Sequence, residues 1–457
     1  MAKHLIFLFC TMILFTSSDP HFGTDFRWNS GKGNQDNEVK ELPWMSQDSF
    51  KNYLRDHKNR VSDQFPVSDY FYPTVNFWFL IYTQFGSNHA VIHDKNNLKL
   101  IYKVLDFSTL YAKGLPKNTL YILQNKISSE KIQELKQQLA FLEKDPYSLG
   151  PQAKSIQRLL TESGVTAPIN KSKRKLFFQR LKENIRIQTG QRNFIKDGIV
   201  RSLPYKPFLN RFFAHMKLPS ELLAIPFLES SFNPKAESKV GALGAWQFMP
   251  LIASYYVPKK SLRPEFDYRS NVGVISVAAA YLMKENIQLM KSWDLAVTAY
   301  NSGTKHLIKT RRELASTRTK IDLEDIIQNS DSQHFGFASK NFYGEFLALA
   351  HALAYEEELF DEIHQHDRYN VEEDLHFHLT KCSVKLDKTL NEKQLDDVLF
   401  HNHHVTSPSA TFPRATIITS KEDLPKSKFL KLDIHQMGNL KPKDWEKLLA
   451  RQSCSTR

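Results

Sequence analysis

The spacing of apolar residues changes along the chain and separates segments of different predicted structure. Residues 89–107 form two short apolar runs around an Asp-Lys-Asn-Asn turn, a pattern that predicts a β-hairpin. Apolar residues between Ile132 and Leu142 recur at helical spacing, and Pro146 is expected to follow the end of that helix. We therefore expect residues 41–200 to form an α+β N-terminal domain.

Beyond residue 200 the pattern becomes almost wholly helical. Residues 276–290 include three consecutive alanines, whose small side chains let neighbouring helix backbones approach closely. The stretch 293–303 ends in Gly303, a residue favoured just past a helix C-terminus. A further helix is predicted over 342–360, and these segments define a helical domain over 201–365.

The last part of the chain, 366–457, changes character again. Residues 375–386 begin with strict alternation of apolar and polar positions, which predicts a strand. A helical stretch is predicted around Trp445, so this region is expected to be a small α+β accessory domain. The predicted fold class is mainly α, with a helical central domain between two α+β domains.

The amino terminus has the layout of a secretory signal. Within residues 1–18, Lys3 precedes an apolar run that is too short to span a bilayer, and small residues follow it. Residues 19–40 are polar and rich in Gly and Asn, which is typical of a linker. We expect an exported protein, with Cys382 and Cys454 able to pair in an oxidising compartment.

Composition narrows the function classes. The 457 residues are 41% hydrophobic, enough to build a core, and three cysteines are too few for a four-thiolate metal site. A net charge of +13 favours polyanionic partners. The basic stretch 171–186 suits peripheral contact with anionic membrane or wall polymer, or a merely solvated helix face, and no nucleic-acid partner is expected.

Candidate chemistry lies in residues 218–250. Glu229 directly follows an apolar run, where poor solvation of the carboxylate is expected to raise its pKa. A carboxyl that stays protonated near neutral pH is suited to general-acid catalysis. An isolated Glu in this position is also compatible with a turn-capping role. The choice between a catalytic and a capping role therefore depends on the neighbouring motifs.

Those motifs resemble the lytic transglycosylase domain of the lysozyme-like superfamily, most closely its membrane-bound type D group. The resemblance rests on four ordered elements: LPSELLAIPFLESSF (218–232), SKVGALGAWQFMP (238–250), AYNSG (299–303) and FGFASKNFYGEF (335–346). It implies a helical lysozyme-like catalytic domain that acts on peptidoglycan. Four motifs in this order favour a functional role for Glu229 over a capping role.

The resemblance also implies roles for individual residues. Glu229 would be the single catalytic acid and base. Substrate-binding residues carried over from the family's motifs are Ser230, Ser238, Gln247, Tyr300, Asn301 and Tyr343. Each has an ordinary structural alternative, such as a turn for Ser238 or core packing for Tyr300. Trp246 and Phe248, which flank Gln247, are either core residues or the source of one sugar-stacking ring.

The implied reaction cleaves the β-1,4 bond between N-acetylmuramic acid and N-acetylglucosamine and leaves a 1,6-anhydromuramyl product. It requires no metal and no organic cofactor. Histidines of the C-terminal region, including His376, His378 and the HNHH run at 401–404, lack regular zinc spacing and are expected to be solvated loop residues. The implied location is the periplasm or cell envelope of a bacterium.

Two other readings stay open from the sequence. A hydrolase of goose-lysozyme type would use water in place of the muramyl hydroxyl, and its product would be one water heavier. A non-catalytic peptidoglycan-binding scaffold would need no acid, so the retained Glu229 argues against it.

Overall fold

A computed structural model describes the chain over residues 39–42, 50–148, 150–258, 267–315, 321–330, 335–366 and 374–453. The predicted signal segment 1–18 and all but the last two residues of the predicted linker lie outside these ranges. The described residues fall into two units. One contains residues 39–57 and 67–194, and the other contains residues 58–66 together with those from 195 onward.

The N-terminal unit is built on a four-stranded antiparallel sheet. Its strands are β1 (Lys40–Leu42), β2 (His89–Asp94), β3 (Ile101–Asp106) and β4 (Ile185–Thr189), in the spatial order β1-β3-β2-β4. Strands β2 and β3 pair with Val91 opposite Val104, which confirms the hairpin predicted from the alternating runs.

Helices cover this sheet and close its core. They are α1 (Lys51–Leu54), α2 (Tyr72–Thr83), α3 (Ser108–Ala112), α4 (Lys117–Lys144), α5 (Pro151–Glu162) and α6 (Lys171–Asn184). Leu135, Leu139 and Leu142 of α4 are buried in one cluster with Phe178 of α6. The predicted helical spacing and its end before Pro146 are confirmed, and the basic stretch forms α6.

The second unit is predominantly helical as far as residue 366, as the sequence pattern predicts. Its helices in this part are α7 (Arg192–Ser202, which begins at the unit boundary), α8 (Lys206–His215), α9 (Ile225–Ser230), α10 (Pro250–Ala253), α11 (Val272–Met290), α12 (Trp293–Ser302), α13 (Thr304–Leu314), α14 (Leu323–Asn329), α15 (Phe337–Ala354), α16 (Glu356–Leu359) and α17 (Asp361–His366). Two 3₁₀ helices, Ser220–Ala224 and Tyr268–Ser270, precede α9 and α11.

Helix α11 forms the centre of this unit. Ala278, Ala279 and Ala280 are fully buried, which agrees with their predicted role in close helix packing. The predicted end of α12 is also observed, since Gly303 follows it with a φ of 80°. The single helix predicted over 342–360 is instead divided, because Tyr355 separates α15 from α16.

The C-terminal segment belongs to this same unit and contains a three-stranded antiparallel sheet. Its order is β8 (Ile417–Ser420), β5 (His376–Thr380), β9 (Phe429–Leu432), and β6 (Val384–Lys385) pairs separately with β7 (Thr411–Phe412). Its helices are α18 (Leu386–Thr389), α19 (Glu392–His401), α20 (Ile434–Asn439) and a 3₁₀ helix, Pro442–Leu449. The predicted strand and the helical stretch around Trp445 are confirmed.

Polar and apolar contacts join this segment to the central helices. The Asn271 amide donates to Asn402 Oδ1 at 2.9 Å and to Thr419 Oγ1 at 3.1 Å, and all three residues are buried. Gly273 at the start of α11 leaves room for the ring of Phe377, which would lie 2.8 Å from a Cβ at that position.

The C-terminal segment contains several histidines for which the sequence predicted exposure to solvent. His378, His401 and His404 are buried, so the expectation of solvated loop histidines is wrong for these three. Burial lowers the pKa of His378 and of His404 to about 3, which keeps both rings neutral at physiological pH.

Cys382 forms a disulfide, and its partner lies outside the described residues. In the part of the chain that is described, no helix is long and apolar enough to cross a bilayer.

Candidate active site

The candidate catalytic residue lies at the end of a short, interrupted helical segment. The 3₁₀ helix Ser220–Ala224 runs into α9, and Pro226 occupies the first turn of α9, where a missing backbone N–H costs nothing. Ser231 and Phe232 then take left-handed conformations, with φ of 52° and 59°, and end the helix. Glu229 therefore lies in the last turn of α9, next to a sharp change in chain direction.

The environment of Glu229 favours its neutral form. Its side chain is partly exposed, but the protein around it excludes most solvent from the carboxyl. Burial, with a smaller contribution from the negative charge of Glu345, raises the pKa of Glu229 to about 8. A carboxyl with this pKa is roughly nine-tenths protonated at pH 7. The expectation of a raised pKa after the apolar run agrees with this geometry.

Ser230, the neighbour of Glu229, anchors α9 to the following loop. Its hydroxyl donates to the carbonyl of Ala245 at 2.9 Å and accepts the backbone N–H of Asn233 at 2.9 Å. The side chain is buried. These bonds fix the position of α9 relative to the segment that carries Gln247, and the substrate contact assigned to Ser230 stays a prediction.

The segment 236–250 folds into a tight loop with short antiparallel bridges. Gly244 has a φ of 82°, and a Cβ there would lie 1.8 Å from the carbonyl oxygen of Arg269, so only glycine fits. Arg269 also donates to the carbonyls of Gly241 at 2.6 Å and Phe248 at 3.0 Å. Its ion pair with Asp267, at 2.7 Å, holds the guanidinium in place.

Gln247 and Ser238 both lie in this loop. Gln247 has a φ of 47° and is buried, and its amide donates to the carbonyls of Ala236 at 3.0 Å and Gly244 at 2.9 Å. Gln247 therefore holds the loop together through two buried hydrogen bonds. Ser238 is partly exposed, and its hydroxyl accepts the backbone N–H of Ala242 at 2.9 Å.

Helix α12 contributes Tyr300 and Asn301. The Tyr300 hydroxyl donates to the carbonyl of Trp246 at 2.6 Å, which ties α12 to the loop. Burial raises the pKa of Tyr300 well above its usual value, and the charge of Glu229 adds to this, so the phenol and the carboxyl are electrostatic neighbours. Asn301 is buried and accepts the Ser339 hydroxyl of α15 at 3.1 Å.

Tyr343 lies on a different side of α15 from Glu345. Residues two positions apart on a helix point in nearly opposite directions. Tyr343 is buried and stacks on Phe346 with ring centroids 6.0 Å apart. Burial raises its pKa, and Asp294 is the charged neighbour that adds to this effect. Its assignment to substrate binding stays a prediction.

The aromatic residues that flank Gln247 are core residues. Trp246 is fully buried and its indole N–H donates to Ser276 at 2.7 Å, while Phe248 is also buried. The alternative in which one of these rings offers an exposed sugar-stacking face is therefore wrong.

Sequence reasoning missed Glu345 as a neighbour of Glu229. Glu345 is buried on α15, within the last of the four motifs, and is far from Glu229 in sequence. The signal that could have found it is the one used for Glu229, namely a single acidic residue inside an otherwise apolar helical stretch. Glu345 is distant from Glu229 in sequence and becomes its neighbour only in the folded chain.

Comparison with known proteins agrees with this geometry. Residues 213–323 match the family described as the Transglycosylase SLT domain. The membrane-bound lytic murein transglycosylase D of Escherichia coli (strain K12) and that of Escherichia coli O6:H1 (strain CFT073) are each 31% identical over 132 residues. Each match covers 28% of this chain and 28% of the relative's length.

Residues 213–323 therefore match a Transglycosylase SLT domain, and the predicted fold class, mainly α, is confirmed. Within the same structural unit, α9, α12 and α15 place the carboxyl of Glu229, the phenol of Tyr300 and the carboxylate of Glu345 close enough to affect one another's pKa. Such an arrangement can donate a proton to a leaving oxygen and later accept one.

Proposed function

We propose that the protein is a peptidoglycan lytic transglycosylase. It cleaves the β-1,4 bond between N-acetylmuramic acid and N-acetylglucosamine and forms a 1,6-anhydromuramyl end. The observation that carries this proposal is a poorly solvated Glu229 carboxyl with a pKa of about 8, within the residues that match the Transglycosylase SLT family. The names of its relatives point to the same polymer.

Glu229 acts first as the acid. Its carboxyl donates a proton to the glycosidic oxygen while the bond from that oxygen to the muramyl anomeric carbon breaks. Because the carboxyl is mainly protonated at pH 7, most molecules are ready for this step. The partial exposure of the side chain leaves it accessible to a glycan.

Glu229 then acts as the base. The carboxylate takes the proton of the muramyl C6 hydroxyl, and the C6 oxygen forms a new bond to the anomeric carbon. The proton lost in the first step is recovered, and no water is consumed. Since the attacking oxygen belongs to the same sugar, the step is intramolecular and has a small entropic cost.

The remaining site residues position this carboxyl or bind the glycan. Tyr300 is the phenol that neighbours Glu229, and Ser238 is the partly exposed hydroxyl of the loop. Gln247, Asn301 and Ser230 hold the loop and the helices together through buried hydrogen bonds. Tyr343 completes the proposed set through its place in the last motif.

The proposed location is the bacterial envelope, reached by export through the signal segment 1–18. The polymer that is cleaved is peptidoglycan, and the basic face of α6 provides peripheral contact with anionic membrane or wall polymer.

Digestion of purified sacculi tests the reaction. We expect mass spectrometry of the released muropeptides to show 1,6-anhydromuramyl ends, which are one water lighter than reducing ends. Reducing ends alone would contradict the proposal and indicate hydrolysis of the goose-lysozyme type. The absence of any released product would indicate a non-catalytic scaffold.

Glu229→Gln tests the assignment of the acid. The variant keeps the shape of the side chain but cannot donate the proton, and the rate should fall by about 10²–10⁴-fold. Glu392→Gln, an exposed carboxyl on α19, is the matched control and should leave the rate unchanged. A Glu229→Gln protein that digests sacculi at the original rate would show that another group is the acid.

A further inference from the structure

A pocket lies beside α9, the helix that carries Glu229. Its volume is about 230 Å³, and its lining includes Phe227 of α9, Leu209 of α8, Glu221 of the 3₁₀ helix, and Ala354 of α15. Phe227 precedes Glu229 by two residues, so the two side chains point to nearly opposite sides of α9. The pocket is therefore separate from the proposed cleavage site.

The floor of this pocket is apolar and combines three alanines with larger side chains. Ala224, Ala350 and Ala354 line it together with Leu209 and Phe227. Three alanines in one floor leave space for methyl-sized groups. A ligand that fills the floor thus has short alkyl side chains, and its burial against these residues would be favourable.

The rim of the pocket carries both signs of charge. Arg60 and Lys206 supply cations, while Glu221 and Glu356 supply carboxylates. Arg60 is itself paired with Glu358 at 3.1 Å and donates to the carbonyl of Ala354 at 3.1 Å. Lys206 pairs with Glu356, but an ammonium group has three donor hydrogens and can also hold a ligand carboxylate. Glu221 accepts the backbone N–H of Ser62 at 2.6 Å and has acceptor capacity for a ligand N–H.

The size of the pocket limits its occupant. A volume of about 230 Å³ corresponds to roughly eight water molecules at about 30 Å³ each. Pockets for drug-sized ligands usually measure about 300–1,000 Å³. The pocket is therefore too small for a glycan strand and suits one or two small residues.

We propose that this pocket binds the alanine-containing end of a peptidoglycan stem peptide. The methyl side chains of such a peptide would fill the apolar floor. Its terminal carboxylate would bind the cations of the rim, and its backbone N–H groups would donate to the carboxylates. The inference rests on the proposed function for the choice of ligand. The peptide would then bind on the side of α9 that carries Phe227, and the glycan would bind on the side that carries Glu229.

Titration of the full chain with a glycan-free stem tetrapeptide tests the proposal by calorimetry. We expect saturable binding that weakens at least fivefold in Lys206→Gln and when the terminal carboxylate of the peptide is amidated. Lys309→Gln, which removes a lysine from an exposed ion pair at 3.7 Å, is the matched control and should bind normally. The absence of saturable binding, or equal binding of the amidated peptide, would overturn the inference.

Ala354→Leu provides an independent test, because it fills the floor without changing any charge. We expect this variant to lose peptide binding while it still cleaves glycan strands from which the peptides have been removed. Unchanged peptide binding by a folded Ala354→Leu protein would overturn the inference.

The two proposals fail in different ways. An unmodified protein that releases anhydromuramyl ends but does not bind the peptide would overturn only the pocket assignment. A protein that binds the peptide but cleaves no glycan would overturn the proposed function and leave peptide binding in place.

Discussion

At the scale of single residues, the proposed chemistry depends on how poorly Glu229 is solvated. Burial is the larger cause of its raised pKa, and the charge of Glu345 is the smaller one. The site therefore pairs a neutral carboxyl with a second acidic residue. Proximity to a like charge makes ionisation of Glu229 harder, which favours the acid form at the start of the reaction.

Replacement of Glu345 should change the pH dependence of the reaction. In Glu345→Gln the like charge is absent, so the pKa of Glu229 should fall and the basic limb of the pH–rate profile should move to lower pH. The measurement is the rate of anhydromuramyl release between pH 5 and pH 10, with Glu392→Gln as the control. A basic limb that does not move would show that Glu345 has no electrostatic effect on the acid.

The same carboxyl should make stability depend on pH. The pKa of Glu229 is about 8 in the folded chain against 4.5 for an ordinary glutamate. Between these values the folded state keeps a proton that the unfolded state has lost, so stability falls as pH rises through this window. Glu229→Gln removes this loss and should be more stable than the unmodified protein at pH 8, by about 1–3 kcal/mol.

Thermal unfolding at pH 4 and at pH 8 measures this difference. Little change is expected at pH 4, where the carboxyl is protonated in both states. An equal effect of the substitution at the two pH values would contradict the assigned pKa.

At the scale of elements, the loop 236–250 determines where the site residues lie. Backbone hydrogen bonds within the loop are supplemented by side chains, since Arg269, Gln247 and Ser230 donate to its carbonyl groups. Tyr300 joins the same loop to α12. The loop therefore acts as the common support of α9 and α12, and damage to it should reduce activity as well as stability.

Gly244→Ala should damage this loop severely. The new methyl group would overlap the carbonyl oxygen of Arg269, 1.8 Å away. We expect a loss of about 3 kcal/mol or more in unfolding free energy, together with loss of activity. Gly241→Ala is the matched control, since Gly241 has a similar φ of 85° but nothing within 4 Å of its Cβ position.

The control should therefore cost only about 1 kcal/mol, the strain of a left-handed conformation. Denaturant unfolding of both variants measures the difference. Equal losses in the two variants would show that backbone strain, and not the close approach of Arg269, makes glycine necessary at 244.

At the scale of the whole molecule, the C-terminal segment and the central helices share a core within one unit. Phe377 of β5 is fully buried, and its ring contacts Phe208 at 4.8 Å and Trp445 at 5.9 Å between centroids. The buried amides of Asn271 and Asn402 are bonded to each other across the same boundary. We therefore expect these two parts to unfold together.

Phe377→Ala tests this coupling. Removal of a buried ring should cost about 3–5 kcal/mol, and the central helices should be destabilised along with the C-terminal sheet. Phe400→Ala, whose ring is 55% exposed, is the control and should have a much smaller effect. Separate unfolding transitions for the two parts in the variant would contradict a shared core.

The sequence by itself determined the type of most elements and singled out the proposed acid. Helical spacing predicted α4, α11 and α12, alternation predicted β5, and four ordered motifs singled out Glu229. These features depend on residues that are close in sequence, so local periodicity and spacing are sufficient to find them. Pro226 and Gly303 act through their own backbone conformations, so their effects on the helices can also be predicted from the sequence.

Only the tertiary structure decided which distant residues adjoin the acid. Glu345 lies more than a hundred positions from Glu229, and the close packing of α15 beside α9 brings its charge to the site. The burial of His378, His401 and His404 and of Trp246 likewise arises from packing between segments that are far apart in sequence. The proximity of Glu345 and the burial of these side chains depend on contacts between distant segments, and for that reason the pattern of residues along the sequence could not supply them.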